Sequence, residues 1–132
     1  MGRRLLSIVL SSAAAATPED YHGSMTTAAA ELETEVRRLR IRIISLTTTQ
    51  LDEAVPRAPS RRAAIREAIN EFSSIGSDAR PVPELGDQNL ADQVVVLLEH
   101  GLRSAQTLPE PDRENRISTL TEAAVRLRRN LA

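Results

Sequence analysis

The chain has no cysteine and no tryptophan, and one phenylalanine and one tyrosine among its 132 residues. Without cysteine there is no disulfide framework and no lipoprotein anchor, although the compartment stays open because a helical bundle needs no covalent staple. With Phe72 and Tyr21 as the whole aromatic complement, there is no stacking platform for single-stranded nucleic acid. The core has to be aliphatic, which helix-on-helix packing tolerates because small alanine faces let helices approach closely. Lysine is missing too: all 17 basic residues are arginine. With so much alanine, this points to a high-GC bacterial genome. The alternative is selection for bidentate anion contacts, which arginine makes and lysine does not.

Catalytic signatures are equally scarce. The five glycines are scattered, so no phosphate loop or dinucleotide fingerprint can form. No Gly-x-Ser-x-Gly elbow is present. The two histidines, His22 and His100, cannot supply the Glu-x-x-His pair on two helices that a bundle needs to hold two metals. His100 reads as a surface or hydrogen-bonded histidine, and Glu67 and Glu71, which share a helix face at i,i+4, read as solvated charges. No catalytic residue, cofactor or metal is expected, and the chain is expected not to be an enzyme. Long apolar runs are also missing. The strongest, Leu5 to Leu10, is far too short to span a membrane.

What is present is helical periodicity. Leu32, Val36, Leu39, Ile43 and Leu46 recur at steps of four and three, as do Ile117, Leu120, Ala124, Leu127 and Leu131. The pattern predicts an all-α protein, an antiparallel four-helix bundle over residues 26–132 as a single domain, preceded by a short, poorly ordered tail over residues 1–25. A chain of this length buries roughly two thirds of its unfolded surface, enough for one core. In the tail, Arg3-Arg4, the apolar run and Ala13-Ala14-Ala15 have the outline of an export signal over residues 1–16. The preferred reading is cytoplasmic, with export as the alternative. Met25 would also make a natural start for the bundle, and residues 1–24 are expected to be dispensable for folding.

Helix one is predicted from about Thr27 to about Asp52, with its acids first and its arginines later, as the macrodipole favours. Thr47-Thr48-Thr49 weakens its last turns. Helix two follows the Pro56 and Pro59 break, with Ser60 as N-cap and Gly76 as its stop. Residues 77–86 form the longest loop, whose Pro81-Val82-Pro83 reads as an extended segment crossing an end of the bundle. Asp87 is the expected N-cap of helix three, whose run 94–98 should make it the most buried, with Gly101 marking close helix approach. Pro111 suits the first turn of helix four. Short connections make neighbouring helices antiparallel.

The stretch Pro81-Val-Pro-Glu-Leu-Gly-Asp-Gln-Asn-Leu-Ala-Asp-Gln-Val-Val-Val-Leu97 resembles the central segment of small, Ala-rich, all-helical, uncharacterised actinobacterial proteins. The resemblance covers residues 81–97 and implies no activity. It leaves open whether Asp92 and Gln93 serve capping or partner contact.

Two surfaces remain as functional candidates. Ile41, Ile44 and Leu51 lie off the main seam of helix one, more apolar circumference than one neighbour can cover, and predict an interface. Arg38 and Arg42 share one face, as do Arg62 and Arg66, and make a candidate anion or acidic-partner face. The formal net charge is −1, but residues 26–66 carry eight Arg against five acids while residues 67–122 carry four Arg against eleven acids. No domain-wide basic excess exists to release counterions, so specific nucleic-acid binding is not expected. The expected function is protein–protein interaction, as a homodimer or with an unknown protein partner. The alternative is a regulator that binds an anionic ligand or nucleic acid through the arginine face.

Overall fold

The computed structural model describes residues 23–76 and 82–132; the expectations for residues 1–22, including the export signal, lie outside them. Among the described residues the protein is all-helical. Four long helices, α1 (Gly23–Ile44), α3 (Arg61–Ile75), α4 (Leu90–Gln106) and α5 (Asp112–Asn130), are joined by a short α2 (Thr48–Asp52) and a single 3-10 turn over Asp87–Asn89. The only extended pairing among these residues is an isolated bridge between Val55 and Ala58. No described helix is long and apolar enough to cross a membrane.

Both apolar seams read from the sequence are buried along their whole length, with Leu32, Leu39, Leu120, Ala124 and Leu131 fully enclosed. Phe72 and Ile65 of α3 and Leu90, Val94 and Leu98 of α4 complete a single aliphatic cluster. Local signals work as expected at α3. Ser60 is extended, and its hydroxyl accepts the Ala63 N–H at 3.0 Å, while Gly76 ends the helix. At Gly101 a Cβ would stand 2.9 Å from Leu120 Cδ1, so α4 and α5 do approach closely there.

Several expectations are corrected. Helix one starts at Gly23 and stops at Ile44, instead of running from Thr27 to Asp52. Beyond Leu46 the chain restarts at Thr47, whose hydroxyl accepts from the Gln50 N–H while the Gln50 side chain accepts from the Thr47 N–H. This reciprocal capping box satisfies two otherwise orphaned donors and makes a new helix cheaper than continuing the old one through three threonines. Asp87 does not cap α4: a 3-10 turn precedes that helix, and the Asp87 carboxylate is held by Arg62 instead. The 94–98 run is not uniformly buried either, since Val94 and Leu98 face the core and Val96 is 59% exposed.

A further correction concerns direction. Arg62 at the start of α3 binds Asp87 just before α4, and Gly76 at the end of α3 lies against Gly101 late in α4. These two helices therefore run the same way, not antiparallel. Extended chain between Gly76 and Asp87 can reach about 35 Å, more than the roughly 22 Å length of α3, so the connection is long enough to return to the starting end. Its described part does not cross an end of the molecule. It lies along α3 and α4, where the Pro83 carbonyl accepts from Gln93 and the Leu85 carbonyl from Arg66. α1 packs on α4 and α5, and α3 packs on the same two helices, so consecutive long helices α1 and α3 flank a shared pair.

Candidate interaction surface

The candidate residues divide into those the fold consumes and those it leaves outside. Leu51 is consumed. The break after Ile44 places it on α2, where it is buried at 5% exposure among the core residues. It is therefore not part of an open interface. Ile41 and Ile44 remain outside, 68% and 58% exposed in the last turn of α1. Arg37 and Arg40 lie one turn before them, Arg37 donating to the Thr34 hydroxyl at 3.3 Å. Arg37 and Arg40 are exposed, and neither forms an ion pair with a described residue.

The four arginines proposed as an anion face do not converge on one site. Arg62 grips Asp87 with two parallel hydrogen bonds of 2.7 and 2.9 Å and also binds Asp52. The hydrogen bond from Arg62, helped by the charges of Arg62 and Arg66, outweighs desolvation and holds the Asp87 carboxyl below its ordinary range. The same contacts push the Arg62 guanidinium up. Arg66 donates to the Leu85 carbonyl at 3.0 Å and stands near Glu84 and Asp87. Arg42 donates twice to the Leu131 carbonyl, at 2.6 and 3.2 Å, and Arg61 joins it at 3.3 Å. Two guanidinium groups thus satisfy a carbonyl at the C-terminal, negative end of α5. Only Arg38 keeps an open side, 57% exposed while bound to Glu35 at 2.9 Å.

Glu35 is a residue that sequence reasoning missed. It is a carboxylate buried between α1 and α5, with its side chain 7% exposed. Arg128 donates to both of its oxygens, at 2.7 and 3.2 Å, and Arg38 donates a third bond. Burial alone would raise its pKa. The hydrogen bonds and charges of Arg128, then of Arg38, outweigh burial and hold the carboxyl below the ordinary value of 4.5. Its signal was available, since Glu35 sits three residues after Leu32 and four before Leu39, inside the apolar arc. A carboxylate there has to bring its own cation.

A second exposed apolar patch was also missed. Val96 and Leu85, the latter 45% exposed, border a groove of about 300 Å³ on α4 that Val82 and Leu97 also line. Asp92 and Gln93 of the 81–97 stretch stand here. Asp92 is exposed on the rim, and the Gln93 amide donates to the Pro83 carbonyl at 3.0 Å. The signal lay in the 94–98 run, which is longer than one helical stripe can bury. His100 is exposed on the same helix.

Between α3 and α5 runs a cleft of about 510 Å³ that Arg57, Arg126 and Arg129 share with Glu67 and Glu71. Arg126 is tied to Glu71 at 2.8 Å, so acids answer much of the positive charge. No protein-family model, no curated protein and no solved structure matches the chain.

Proposed function

We propose that this chain is a non-enzymatic helical protein that acts through protein–protein contact, and that its first partner is a second copy of itself. The four long helices serve as one bundle of mixed direction that presents the contact surface. The observation that carries the reading is the exposure of Ile41 and Ile44, at 68% and 58%, on the outer face of α1. Covering such side chains gains roughly 1.5–3 kcal/mol each when burial is complete. Glu35 supports the non-catalytic part, because three hydrogen bonds from two guanidinium groups already occupy its oxygens.

The test replaces Ile41 and Ile44 together by Asp. Both side chains point away from the core, so the expected result is a folded monomer, read by light scattering on a size-exclusion column. An unchanged dimer would place the contact elsewhere.

The anionic-ligand alternative draws on Arg37, Arg40 and the open side of Arg38, which is 57% exposed although bound to Glu35, since Arg42, Arg62 and Arg66 are turned to internal acceptors. We assign the protein to the cytoplasm because the Leu5–Leu10 run is short for an export signal. N-terminal sequencing of the native protein checks this, and a mature start near Thr17 overturns it.

A further inference from the structure

We propose that the surface receiving Ile41 and Ile44 is the exposed face of α4 around Val96 in the second copy, flanked by Asp92 and Glu99, so that the dimer is built from two α1-on-α4 contacts. This rests on the self-association reading and goes further by naming both halves of the contact.

Charge carries the argument. From Val36 to Leu51 the chain holds four arginines and no acid, and from Val82 to Leu102 it holds four acids and no arginine. Arg38 and Arg42 on the first stretch, and Glu84 and Asp87 on the second, have partners within the fold. Arg37 and Arg40 on α1 and Asp92 and Glu99 on α4 remain exposed with no ion pair among the described residues. Each pair borders exposed aliphatic side chains. Arg37 and Arg40 stand one turn before Ile41 and Ile44, and Asp92 and Glu99 stand about one turn either side of Val96. One patch is apolar with a positive rim and the other is apolar with a negative rim. Pairing α1 with its own mate would instead set Arg37 and Arg40 against their copies.

The fold lets this pairing close on itself. α1 and α4 pack directly together. Arg42 and Arg61 meet at the Leu131 carbonyl, and the neighbouring Arg62 holds Asp87 in front of α4. The end of α1 and the start of α4 therefore lie at the same end of the molecule. Ile41 and Ile44 are in the last turn of α1 and Val96 is in the second turn of α4. A twofold axis parallel to α1 and α4 would set the end of each α1 against the first turns of the other copy's α4, giving two equivalent contacts and a closed assembly.

The experiment uses the full chain and two charge reversals, R37E/R40E and D92R/E99R, with helicity checked by circular dichroism. All four positions are exposed, so both variants are expected to fold. In sedimentation at low salt, each variant alone should dimerise at least tenfold more weakly than the wild type. An equimolar mixture of the two should recover dimer, because the reversed patches complement each other. If R37E/R40E weakens association while D92R/E99R leaves it intact, α1 contacts another surface and the α4 assignment is overturned. If neither variant changes the wild-type dimer, charge pairing is overturned at both faces. A wild type that stays monomeric at about 100 μM overturns the self-association reading itself.

Discussion

Replacing Arg128 by Met isolates what the buried carboxylate needs. Methionine keeps most of the aliphatic stem and removes the guanidinium, leaving Glu35 with the single hydrogen bond from Arg38. Cutting one partner from a fully buried ion pair costs about 3–5 kcal/mol. Here Arg128 is 32% exposed and Arg38 is 57% exposed and stays in place, so screening reduces the expected cost to about 2 kcal/mol. For a chain of this size that lowers the melting temperature by roughly 6–8 °C at pH 7. The pH dependence gives a sharper check. In the folded wild type the Glu35 carboxyl lies below its ordinary 4.5, so the unfolded state binds more protons there. The stabilisation is full above that ordinary value and is lost as pH falls through the folded value. Without Arg128, burial pushes the carboxyl up, so the variant shifts towards the neutral acid. The gap between wild type and variant should therefore shrink from pH 7 to pH 3. Thermal melts followed by circular dichroism measure both. A variant melting within about 2 °C of wild type at pH 7, or a gap that does not change with pH, would refute the reasoning.

Gly101→Ala gains about 1 kcal/mol of helix propensity but puts a methyl 2.9 Å from Leu120 Cδ1. Leu120 is fully buried, and overpacking a core costs about 1–3 kcal/mol, so a net loss near 1 kcal/mol is expected in denaturant unfolding; a more stable variant would show that Leu120 has room. Asp87→Asn should loosen the return segment from α3, giving faster amide exchange over Asp87–Leu90 with a melting temperature within about 2 °C of wild type. Equal exchange rates would mean that the Arg62 contact does not hold the segment. Any nucleic-acid binding seen at about 50 mM salt should be lost near 200 mM; sequence-specific retention at the higher salt would contradict it.

The parts of the fold that were legible in the sequence are those set within a few residues. The Leu32–Leu46 and Ile117–Leu131 seams, the Ser60 cap and the Gly76 stop each depend on helical periodicity or on one local hydrogen bond, and all are seen. The break after Ile44 is local too, but it turns on a competition. Apolar periodicity runs on through Leu46 and Leu51, while the Thr47–Gln50 capping box restarts the backbone. That competition also decides which candidate residues stay exposed, because the restarted helix buries Leu51 while Ile41 and Ile44 remain outside. Helix direction was not legible. The parallel course of α3 and α4 rests on Arg62 meeting Asp87 and Gly76 meeting Gly101, contacts between residues far apart in the chain. The same holds for the arginine face, which looked like one charged surface and is divided among acceptors on α2, the return segment and the end of α5.

Self-association is the claim on which the functional account stands, and a concentration series of the full-length wild type by light scattering tests it most directly. The account predicts a mass that approaches twice 14.5 kDa by about 100 μM, with I41D/I44D remaining at the monomer mass across the range. A wild type at the monomer mass throughout would contradict it.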